Sequence, residues 1–172
     1  MGIEWIEVQY KDEYQDEKRP WYRGLRLVID REIEEERREK IKAFVAWLKK
    51  HYFFPLRCNV RICATSFFKA DKNREGDVDS VLDFYYGKDK KGKKSAEPVL
   101  WVAGLPDRRK YEEDFVIQIY ARIAFGLTYY YQWYFLQFED KKRTDRSLHI
   151  EATKWQNYIT QTYLDELEGY IE

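Results

Sequence analysis

The run from Phe115 to Phe138 constrains this chain more than any other segment. It is rich in apolar residues and longer than the ~20 that a membrane-spanning helix needs. Yet it carries Gln118, Arg122, Thr128, Gln132 and Gln137, and its tyrosines lie inside the run. A mid-span arginine costs roughly 2.5–3.5 kcal/mol in lipid, and aromatic belts belong at the ends of a span. The run therefore reads as the central helix of a soluble domain, with no membrane partner expected.

A helix of this kind needs a core around it. The chain has 172 residues, enough for one domain with a real core. Aromatics make up 18% of it, which excludes a disordered chain. Lysine plus arginine (31) balance aspartate plus glutamate (31), so no global positive field recruits phosphate, and a nucleic-acid partner is not expected. The basic clusters Lys88–Lys94 and Lys141–Arg146 read as solvated loops. Cys58 and Cys63 cannot build a disulfide scaffold, and the opening residues carry no basic region followed by an apolar one. Both features fit a reducing, cytoplasmic setting.

Along the chain, residues 1–24 read as an N-terminal arm or short strand with a polar linker, and residues 25–172 as a single domain. Leu25–Ile29 forms a short extended segment. Asp30 then caps a helix whose apolar stripe is Ile33, Ile41, Phe44, Val45 and Leu48, closed by Lys49, Lys50 and His51. A strand follows Pro55, with Cys58, Val60, Ile62 and Ala64 on its dry face. Residues 69–79 read as a polar loop. Val81–Tyr86 and Pro98–Leu105 form a hairpin with a lysine-rich tip. The long helix starts between Asp107 and Tyr111. A charged linker, 139–146, leads to a last helix over about 147–170, with Ile150, Trp155, Ile159, Tyr163, Leu164 and Leu167 inward. Strands in the middle, one helix before and two after, give an α+β class with a small, mostly antiparallel sheet of three to four strands rather than an alternating βαβ order.

Obvious chemistry is scarce. His51 and His149 are the only histidines, and Glu151, two residues from His149, points elsewhere on a helix. Cys58 and Cys63 fall on opposite faces of their strand, which opposes a shared zinc site. The sequence holds no GxSxG elbow and no glycine-rich phosphate loop.

One pattern remains. The stretch Arg122-Ile123-Ala124-Phe125-Gly126-Leu127-Thr128-Tyr129-Tyr130-Tyr131-Gln132-Trp133 follows the strand Val99–Ala103, and a later helix offers Glu151-Ala152. This arrangement resembles the zincin metallopeptidases of the minigluzincin type, in the order of elements over residues 25–170. In that family the long helix carries HExxH before an aromatic stretch, and a later helix supplies a glutamate as third zinc ligand. Aligning the Tyr-Gln-Trp ends places Phe125 at the first histidine, Gly126 at the catalytic glutamate, Tyr129 at the second histidine and Glu151 at the third ligand.

Phenylalanine offers a metal no lone pair, glycine cannot act as a base, and a neutral tyrosine is a poor zinc ligand. The resemblance thus implies a degenerate HExxH site with no catalytic residue, metal or cofactor. In that reading Phe125 plugs the former metal cavity and Tyr129 donates its hydroxyl to Glu151. The resemblance also implies a peptide cleft between the Val99–Ala103 strand edge and the long helix, lined by Val99, Trp101, Ala103, Tyr130 and Trp133. A peptide or protein partner is the expected ligand. A structural module that self-associates through its aromatic surface, or an enzyme of unrelated chemistry, is the alternative.

Overall fold

The computed structural model describes residues 2–14, 23–69, 77–88, 94–106, 115–136 and 143–169. The described residues build an α+β layer structure around strands β1 (Leu25–Ile29), β2 (Cys58–Cys63), β3 (Phe68–Lys69), β4 (Asp77–Val78), β5 (Ser80–Lys88) and β6 (Lys94–Ala103). Helix α1 (Glu35–His51) follows β1, and α2 (Phe115–Leu136) and α3 (Asp145–Leu167) follow β6.

The main sheet has the order β1-β2-β6-β5. Strands β1, β2 and β6 run parallel, and only β5 and β6 pair antiparallel. The sheet is therefore mixed, which corrects the mostly antiparallel expectation. Parallel neighbours need a crossover connection, and α1 supplies it between β1 and β2 as a βαβ unit. A strand order read along the sequence missed this, because the hairpin signal at β5–β6 is local and the parallel pairing is not.

Helix α1 forms where expected, with Glu35 and Glu36 in its first turn, Lys49, Lys50 and His51 in its last, and Ile41, Phe44, Val45 and Leu48 buried. Asp30 does not cap it. Its carboxylate accepts from the Ala64 N–H at 2.8 Å, tying the end of β1 to the end of β2, and the helix starts after Glu34. Two short strands, β3 and β4, pair where a loop was expected. In α3, Thr144 caps the N-terminus by accepting from the Ser147 N–H. Ile159 and Tyr163 are buried and Trp155 is half-buried, but Ile150 and Leu167 are exposed. The buried stripe runs through Ala152, and Ile150 lies two residues off it, on another side of the helix. The lysine tip 89–93, the start of the long helix at 107–114 and the linker at 137–142 lie outside the described residues.

Register divides the sheet cleanly. Leu27, Val60, Leu100 and Leu82 stand in one row, and Ile29, Ile62 and Val102 in the next. This face carries the helices, with Leu100 packed against α2 at Gly126. Val28, Arg61 and Trp101 occupy the opposite face, where the Arg61 guanidinium lies 5.4 Å from the Trp101 ring centroid. Half of α2 is buried, as a central helix requires, and no helix among the described residues is long and apolar enough to cross a membrane.

Candidate functional site

Helix α2 is fixed from three directions by its own polar atoms. The buried Arg122 guanidinium donates to the Ala103 carbonyl at 2.7 Å and lies 3.7 Å from the Asp79 carboxylate. The Tyr130 hydroxyl accepts from the Leu56 N–H at 2.9 Å and donates to the Leu56 carbonyl. The Tyr131 hydroxyl donates to the Phe53 carbonyl at 2.6 Å. These bonds hold the turn that leads into β2. Burial pushes both phenols well above their ordinary value, because a phenolate has no solvent there.

Phe125 and Tyr129 stand one turn apart with ring centroids 5.2 Å from each other. Phe125 also meets the His149 ring edge-on at 5.3 Å. Gly126 lies between helix and sheet. A Cβ there would run into the Leu100 side chain, so glycine lets β6 approach α2.

Glu151 is held elsewhere. Its Oε1 accepts from Arg143 Nη1 at 2.7 Å and from Gln132 Nε2 at 3.0 Å, and its Oε2 accepts from the Ile3 N–H at 2.9 Å. The Tyr129 hydroxyl expected on this carboxylate is not among those three donors. Phe125, Tyr129 and His149 form an aromatic group, and Glu151 centres a polar hub. Arg143 in turn donates to the Ser147 hydroxyl at 2.8 Å, so the hub also fixes the first turn of α3. Sequence reasoning missed Arg143 and Gln132. Arg143 sat in a basic run that looks like any solvated loop, and the only signal was a cation eight residues before a carboxylate.

The N-terminal arm completes this region. Ile3, Trp5 and Ile6 are buried, and Trp5 donates its indole N–H to Thr128 Oγ1 at 3.1 Å. Glu7 bridges to Tyr52, and a 3-10 turn over Val8–Glu13 follows where a polar linker was expected. Between arm and helices lies a cleft of about 710 Å³ walled by Tyr10, Tyr14, Tyr52, Phe135, Trp155 and Tyr158. Burial, then Tyr158 and Glu7, push the Tyr52 phenol up to about 12.

The strand edge expected to face a peptide along β6 is not free. Over Val99–Val102, β6 pairs with β2 on one side and β5 on the other, so these main-chain groups are used within the sheet. Val99 and Trp101 alternate with Leu100, and therefore sit on the face away from α2. Ala103 and Tyr130 are buried, and Trp133 is half-buried with its ring 6.2 Å from that of Tyr130. Among the described residues the outer strands are β1 and β5 in the main sheet and β3 and β4 in the two-stranded sheet, and β6 pairs with β5 alone over its first half.

A second groove, of about 860 Å³, runs between β1 and α1. Leu25, Leu27, Ile29, Val45 and Ala46 give it an apolar floor, and its other walls are cationic. Elsewhere, no group of three or more histidine, cysteine, aspartate or glutamate side chains among the described residues could hold a metal ion. Comparison of the chain with protein-family models, curated proteins and solved structures finds no match.

Proposed function

We propose that this chain is a catalytically inactive zincin-like domain that acts as a protein- or peptide-binding module. The observation that carries the reading is the fate of Glu151. Glu151, which the alignment matches to a third zinc ligand, accepts from Arg143, Gln132 and the Ile3 N–H. A group so engaged stabilises the packing of α2, α3 and the arm. The positions of the two imidazoles hold Phe125 and Tyr129, which pack against each other.

Zinc titration tests this reading. The natural chain should show no stoichiometric binding in competition with a chromogenic chelator. The variant Phe125→His/Tyr129→His/Arg143→Met should gain it, because two imidazoles four residues apart would then face a released carboxylate. Gly126 stays unchanged, since Leu100 fills the space beside it. One zinc per natural chain overturns the inactive reading, and no gain in the variant overturns the alignment.

A second reading rests on the aromatic cleft, whose rim leaves Tyr10 49% and Tyr158 58% exposed. Aromatic residues are enriched at protein interfaces. Self-association through this face predicts a dimer by light scattering at high micromolar concentration, lost in Tyr10→Ser/Tyr158→Ser.

A further inference from the structure

The β1 margin combines two features that ask for the same ligand. The first is an open strand edge. Gly24 and Asp30 donate their N–H groups to the Phe54 and Ile62 carbonyls, and the Cys58 N–H donates to Gly24. Main-chain direction alternates along a strand, so Gly24, Arg26, Val28 and Asp30 turn their groups toward β2. Leu25, Leu27 and Ile29 then turn theirs outward, where no strand among the described residues pairs with them.

The second feature is charge. Arg23, Arg26, Arg31 and Arg57 line the groove from the strand side, and Arg38, Lys42 and Lys49 from α1. No carboxylate stands among the described lining residues, in a chain whose charges balance overall. The Nε of Arg38 is enclosed with no acceptor among the described residues. Seven cations on one groove repel one another and raise the local concentration of anions.

We propose that the groove between β1 and α1 binds an extended acidic peptide segment, which adds a strand alongside β1. The outward N–H and C=O groups supply main-chain pairing, and the cationic walls select carboxylates on alternate residues of the added strand. Five paired residues would span about 17 Å at ~3.4 Å each, the length of β1. A nucleic acid fits less well. Single-stranded binding relies on aromatic platforms for the bases, and no aromatic side chain is found among the described lining residues. The inference gives the binding reading above its partner class. It is independent of the zincin-like alignment, because neither β1 nor α1 carries the aligned positions.

The probe is a fluorescein-labelled eight-residue peptide alternating glutamate with valine, read by anisotropy against the full chain. It should bind, weaken with salt, and lose at least tenfold in affinity to the Lys42→Glu/Lys49→Glu variant. Amide exchange by NMR should slow at Leu25, Leu27 and Ile29 when the peptide is added, and not at β5. The same peptide N-methylated at every main-chain amide should bind at least tenfold more weakly, since it has no donor to pair. Equal binding by the N-methylated peptide overturns strand addition, and protection confined to β5 overturns the location. A single-stranded oligonucleotide that binds more tightly than the peptide overturns the partner class. No binding of the acidic probe overturns the inference and leaves the zinc titration as it stands.

Discussion

The Glu151 hub and the β1–α1 groove hold charged groups at two sides of the same small domain, and they hold them differently. At the hub, one carboxylate meets a guanidinium, a carboxamide and a main-chain N–H, with the Arg143 and Glu151 side chains only 17% and 11% exposed. In the groove, seven cations line an open strand edge with no carboxylate among the described lining residues, and Lys42 reaches an exposed Glu39 outside that lining. A buried polar group must be satisfied internally, because leaving it unpaired costs about 1–3 kcal/mol. A partly solvated group can wait for a ligand. The contrast separates a carboxylate that holds the fold from a groove whose charge is left to solvent or a partner.

The largest expected effect comes from breaking the hub. Glu151→Ala strips three donors of their acceptor and leaves Arg143 poorly solvated. It should cost about 2–4 kcal/mol in urea unfolding, somewhat below a fully buried pair because some solvent reaches it. The melting temperature should fall by on the order of 5–15 °C. A loss within about 0.5 kcal/mol would make the hub no more structural than the groove. Gly126→Ala comes next. Alanine favours a helix over glycine by about 1 kcal/mol, but its Cβ meets a fully buried Leu100. Overpacking costs about 1–3 kcal/mol, so a net loss of about 0–2 kcal/mol is expected. In a Leu100→Ala background the same change should become neutral or stabilising, and a double-mutant cycle measures the coupling.

How much of this was legible in the sequence follows from range. The α1 stripe, the β2 alternation, the hairpin and the central helix are local patterns, and each appears in the structure. The parallel pairing of β1, β2 and β6 joins residues about 30 to 40 positions apart and leaves no periodic mark. Asp30 looked like a cap because its type suits one, and the Ala64 N–H that claimed it lies 34 residues away. Arg143 was unreadable for the same reason, since a cation in a basic run shows no partner. The groove was also hidden, because its cations come from β1, α1 and the segment before β2, and only the crossover brings them together. Gly126 was the exception. A glycine inside a helix demands a close neighbour, and Leu100 is that neighbour.

Alkaline pH sharpens the comparison through the tyrosines whose phenols burial perturbs. Desolvation pushes the Tyr52 and Tyr120 phenols up to about 12, against about 10 in an unfolded chain. Tyr130 and Tyr131 lie well above their ordinary value for the same reason. Between these limits the folded chain keeps protons that the unfolded chain has lost. Their stabilising contribution is whole below pH 10 and declines as pH rises toward 12. Urea midpoints at pH 8, 10 and 11 should therefore fall more steeply between pH 10 and 11 than between pH 8 and 10. A midpoint that stays level to pH 11 would mean that water reaches these phenols.

The smallest stability effect belongs to the groove, and its smallness is the point. Lys42→Glu/Lys49→Glu removes one exposed contact, Lys42 with Glu39 at 3.2 Å, and a favourable cation from the last turn of α1. Each loss is worth a few tenths of a kcal/mol, and relief of repulsion among the groove cations offsets part of it. The pair should shift the unfolding free energy by less than about 1 kcal/mol. The same two changes are expected to abolish most of the affinity for an acidic strand. If they instead unfold the chain as severely as Glu151→Ala does, the groove cations serve the fold, and the distinction between the two regions fails.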